Sequence, residues 1–118
     1  MLLRASGRHS GDQYDFGAIN GTAAADGGIP HGLLLRHYAE AVLGRVDVVL
    51  AWLRAEVTTR LGPAALVDAA AVIGLFNAID RVADATGIPL EPEKAAGSVE
   101  LRAELGIGKY EGGTAIGI

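Results

Sequence analysis

Asn77, Asp80, Arg81 and Asp84 are the residues of this 118-residue chain whose types and spacing best suit them to act together. Separations of three and four place them along neighbouring rows of one helix, where Asn77 can reach Arg81 and Asp80 can approach Asp84. A guanidinium among carboxylates can bind an acidic small molecule or tune an acid. The same side chains can instead form a solvated ion-pair network at a helix end. Upstream, Tyr14 and Asp15 offer a hydrogen-bond donor and a general base where burial shifts their proton affinities. Outside a pocket they are a loop tyrosine beside an acid.

Other chemistries are excluded by residue type or spacing. The chain has no cysteine, which removes disulfides, thiolate metal sites and any cysteine nucleophile or redox dithiol. His31 and His37 are six residues apart, not the three or four that would let a helix present both to one metal, so no metal site is expected. The string GRHSG around His9 and Ser10 is not a nucleophile elbow, because Arg8 stands where the first glycine is needed. In the tail, Gly106, Gly108 and Gly112 are spaced one residue too widely for a dinucleotide fingerprint and follow no strand pattern. No cofactor is expected.

A net charge of −4 and the absence of a dense Lys/Arg cluster argue against nucleic acid or an anionic membrane as partner. The N-terminal apolar run is far shorter than a secretory signal, and no segment reads as the roughly 20 apolar residues of a membrane span. A cytoplasmic protein is expected.

The elements that would carry these residues are helical throughout. Half of the residues are hydrophobic but only 5% are aromatic, so packing must come from Ala, Val, Leu and Ile on close-set helices. Residues 1–32 hold seven of the 17 glycines and predict loop with one short helix at most, over 14–25. A helix is expected from Ile29-Pro30, with Leu34, Tyr38, Ala41 and Val42 on one face. Asp47 can cap a second helix bearing Val48, Leu50, Ala51, Leu53 and Val57, with Trp52 as a core or interface anchor. Gly62-Pro63 starts a long helix that ends near Thr86, where Gly87 supplies a left-handed cap, Ile88 its hydrophobic contact and Pro89 a stop. One further short helix is expected at 98–105, followed by a glycine-rich tail that is extended, mobile or docked on a neighbour.

Between Ala64 and Ile79 the only strongly polar side chains are Asp68 and Asn77. A helix so apolar on nearly every face must be buried on several sides. A chain this short can hardly surround it alone, so sister subunits are expected.

The segment ALVDAAAVIGLFNAIDRVADATGIPLE, with Phe76-Asn77, Asp80-Arg81 and Ala83-Asp84-Ala85-Thr86-Gly87-Ile88-Pro89, resembles the closing helix of AhpD-like carboxymuconolactone decarboxylase domains. The preceding LLLRHYAEAVLGRVDVVLAWLRAEVTTRLGPAALVD is similar in layout to that family's helix, turn and helix, and the resemblance covers residues 33–91. It implies an all-α fold assembled into trimers or hexamers. Redox members carry Cys-x-x-Cys-x-x-x-His; other members lack the cysteines and carry a Tyr-Glu-Trp-like string before an Ala-Gly turn. Tyr14-Asp15-Phe16 with Ala25-Asp26-Gly27 resembles the second variant, which puts Asp12 and Asp15 at the cysteine positions and Ile19 at the histidine position.

The resemblance divides the chain into a glycine-rich segment, 1–32, a helical core, 33–91, and a short helix with tail, 92–118. It implies acid/base chemistry on a small carboxylate or lactone, with Arg81 binding charge beside Asn77 and Asp80, and Tyr14 or Asp15 moving protons. Two other functions fit the same residues: a non-catalytic oligomerisation or partner-binding module, and a peroxidase-related role exerted through a partner's thiols.

Overall fold

A computed structural model describes residues 2–20, 26–44 and 47–106. The described residues are all-α: α1 (Leu2–Ser10), α2 (Gly17–Asn20), α3 (Gly32–Gly44), α4 (Asp47–Leu61), α5 (Pro63–Thr86), α6 (Pro92–Gly97) and α7 (Val99–Leu105). The chain divides into two compact units, one formed by 29–88 and the other by 1–28 together with 89–118.

In the unit 29–88, α3, α4 and α5 pack against one another around Tyr38, Ala41, Leu53 and Val57, all of them buried. Leu34, Val42, Leu50, Leu61, Leu66, Ala69 and Ile73 close around these four. The faces expected from the sequence on α3 and, for Leu53 and Val57, on α4 are thus the faces that pack. Val48 and Trp52 are not: they are 84% and 59% exposed, so Trp52 anchors no core in the single chain. The first helix of this unit also starts later than its proline suggests. Ile29 accepts a hydrogen bond from the Gly32 N–H at 2.8 Å, and His31 takes a left-handed φ of 59°. Pro30 therefore sits inside a turn, which suits its fixed φ, and α3 begins only after it.

The long helix has the ends its sequence announces. Pro63 occupies the first turn, where no N–H partner is lost. At the other end Gly87 has φ 64° and its N–H, like that of Ile88, donates to the carbonyl of Ala83. This is a Schellman-type stop that needs the left-handed residue glycine supplies. What α5 lacks is a buried residue: Val67, Val72, Leu75, Phe76, Ile79 and Val82 are each between 52% and 66% exposed. At 24 residues, α5 is also long and apolar enough to cross a bilayer, contrary to the expectation that no segment reaches that length. The reason is that Asp68 and Asn77 interrupt its apolar run too sparsely to shorten it.

The other unit differs from the loop expected of its glycine content. Ser10 and Gly11 end α1 with Gly11 left-handed at φ 84°, and the Asp12 N–H returns to the Gly7 carbonyl at 2.8 Å. That closing bond gives a helix of only nine residues a defined stop. α2 lies within the 14–25 segment where a short helix is expected, but residues 21–25 fall outside the described residues. Downstream, α7 matches the helix expected at 98–105, whereas α6 was not anticipated. Pro92 opens α6, and a Lys94–Glu91 ion pair at 2.8 Å spans its first turn. The tail expected to be mobile or docked, 107–118, lies outside the described residues.

Candidate functional site

The two sets of candidate residues fall in different units, and each is built locally. In 1–28, the loop from Gly11 to Phe16 is pinned at several points. The Tyr14 ring lies over Gly7 of α1, where any β-carbon would approach the ring to 2.9 Å. The Asp15 N–H donates to the Gly27 carbonyl at 2.9 Å, and Phe16 is buried. Held this way, the side chains turn to local partners. The Asp15 carboxylate accepts the Gly17 N–H at 2.9 Å, which places it at the start of α2 as a cap. Tyr14 pairs not with Asp15 but with Asp12: its hydroxyl donates to Asp12 Oδ2 at 3.3 Å, and Ser10 Oγ donates to the same oxygen at 2.7 Å.

Desolvation of the Tyr14 ring, the adjacent Asp12 charge and the hydrogen bond to Asp12 all raise the phenol's pKa above its ordinary value. Tyr14 is consequently a neutral donor across the physiological range and not a base. Arg8, Asp12, Gln13, Tyr14 and Phe16 line a shallow open cleft of about 260 Å³. From the sequence Tyr14 and Asp15 stand out as neighbours, and Asp12 does not. The one local signal for Asp12 is the Ser10-x-Asp12 pair, a hydroxyl two residues before an acid at a helix end.

In 29–88, Arg81 and Asn77 come together as their spacing requires. Arg81 Nε donates to Asn77 Oδ1 at 3.0 Å, which leaves the terminal guanidinium nitrogens without a partner among the described residues. Asp80 and Asp84, four residues apart on the same helix, are exposed and enter no ion pair among the described residues. One turn of helix therefore presents an oriented cation between two solvated acids. His37 and Glu40 line another open cleft, of about 320 Å³, on α3. No group of three metal-ligating side chains occurs among the described residues.

Comparison of the chain with protein-family models, with curated proteins and with solved structures gives no match.

Proposed function

We propose that this chain is a cytoplasmic, homo-oligomeric subunit similar to carboxymuconolactone decarboxylase domains, built to assemble through α5 and to work without thiol chemistry. One observation carries the reading: a 24-residue helix with no buried residue and six large apolar side chains more than half exposed. Covering each of those side chains contributes roughly 1 kcal/mol. Contiguous apolar surface of this kind marks an interaction face.

Sister helices suit that face better than lipid does. Asp68, Asp80, Arg81 and Asp84 all lie on α5, and each such charge near the middle of a bilayer costs about 2.5–3.5 kcal/mol. The helices packed along α5 also carry partly exposed ion pairs, Arg36–Glu40 and Arg60–Glu56. A trimer or hexamer shelters the apolar stripe while leaving Asp80, Arg81 and Asp84, which lie off the stripe, in water. The test is Phe76→Glu, which places a carboxylate in the middle of the stripe. It should lower the mass in sedimentation while far-UV circular dichroism stays helical; a mass unchanged from the parent chain would contradict the reading.

A second reading, acid/base chemistry on a small carboxylate or lactone, is favoured by the Arg81 guanidinium. Its Nε is fixed on Asn77 and its two terminal nitrogens are available to a bidentate carboxylate. Tyr14 and Asp15 support that chemistry less, since both side chains are engaged locally. A pure assembly module would bind no such ligand.

A further inference from the structure

An open apolar cleft of about 460 Å³ in the unit 29–88 lies where α3, α4 and α5 meet. Leu35, Leu61, Ala65, Ala69 and Val72 give it apolar walls, and Asp68 is the one charged side chain among the described residues that lines it. This volume falls within the roughly 300–1,000 Å³ typical of small-molecule sites, which are apolar with few polar groups. Asp68 enters no hydrogen bond or ion pair among the described residues. The arginines next in sequence to the cleft walls are already committed: Arg36, beside Leu35, faces Glu40 at 3.6 Å, and Arg60, beside Leu61, faces Glu56 at 2.7 Å.

We infer that this cleft binds a small organic cation with an apolar body, its ammonium group at Asp68 and its hydrocarbon against Leu35, Leu61 and Val72. Charge complementarity selects the occupant. Asp68 is exposed at the cleft, so an apolar anion would meet a like charge there, whereas a neutral molecule would gain the apolar contact alone and forgo the ion pair. The preference is opposite in sign to that of Arg81, so the two sites take different ligands.

The test uses the full chain and three six-carbon probes in calorimetric titrations at neutral pH: hexylammonium, hexan-1-ol and hexanoate. Hexylammonium should bind most tightly, and Asp68→Asn should weaken it by about fivefold, as expected of a solvated ion pair, while leaving hexan-1-ol unchanged. Ala69→Leu, which fills the cleft without touching the charge, should weaken hexylammonium and hexan-1-ol alike. Equal binding of all three probes, tighter binding of hexanoate, no effect of Asp68→Asn, or no binding of hexylammonium would each overturn the inference. Sedimentation of the same samples keeps this separate from the assembly reading. An intact oligomer that ignores hexylammonium sinks only the cleft, and a monomer that binds it sinks only the assembly.

Discussion

The ring of Tyr14 lies so close over Gly7 that a β-carbon at position 7 would force it or the neighbouring backbone to shift. A β-carbon there would lie 2.7 Å from the Asp12 carbonyl oxygen and 2.9 Å from Cε2 of the Tyr14 ring. The contact joins α1 to the loop that carries Asp12, Tyr14 and Asp15, so the geometry of this candidate site depends on a missing methyl group.

Gly7→Ala should therefore displace the loop. Overpacking of this sort costs about 1–3 kcal/mol, more than the gain in helix propensity returns. Chemical denaturation measures the loss of stability, and chemical shifts of the Tyr14 ring report the displacement. An alanine variant as stable as the parent, with Tyr14 unshifted, would show that the contact is not made.

Tyr14 should titrate above the ordinary tyrosine value of about 10. Because the folded-state pKa is the higher one, its contribution to stability is fully present below the ordinary value and is lost as pH rises through the raised one. Asp12→Asn removes a negative charge and a charged acceptor, and should bring the midpoint down. Carbon-13 labelling at the tyrosine ζ position resolves this titration from the other two tyrosines; an unchanged midpoint in Asp12→Asn would refute the pairing.

The sequence carried the long helix almost completely, because its ends are written in residues with strong local preferences. Pro63 and the Gly87-Ile88-Pro89 string act through φ and missing donors, which need no tertiary context. The packed face of α3 was legible for a related reason: Leu34, Tyr38, Ala41 and Val42 recur at helical spacing. α1 was not legible, since its own Gly7 lowers helix propensity and its stop depends on one hydrogen bond from Asp12. α6 was not legible although Glu91-Pro92 is a helix-start signal, because its six residues are too few to show a helical period. The candidate residues divide similarly. The Asn77–Arg81 contact follows from one helical turn, whereas the choice of Asp12 over Asp15 as Tyr14's partner depends on how the loop is pinned.

Core and surface positions of the helical unit should respond very differently to truncation. Leu53 is 1% exposed among Tyr38, Ala41 and Val57, so Leu53→Ala should cost about 2–5 kcal/mol. Val48, on the same helix but exposed, should lose less than about 0.5 kcal/mol as Val48→Ala unless a sister copy covers it. Denaturation midpoints of the two variants decide this, and similar losses at both positions would place the core elsewhere.

Arg81 should discriminate between the assembly and catalytic readings. If the guanidinium holds a carboxylate by its two free nitrogens, Arg81→Ala should abolish benzoate binding and Arg81→Lys should weaken it by roughly tenfold, because an ammonium cannot pair bidentately. Asn77→Ala should weaken it less, by releasing Nε. Benzoate affinity identical across all four proteins would remove the ligand role and leave assembly alone.

The central claim is that α5 is sheathed by helices of other copies. Sedimentation velocity of the intact chain over a range from low micromolar to tens of micromolar tests it directly. The account predicts a single species at three or six times the chain mass. A well-folded species of one chain mass across that range would contradict it.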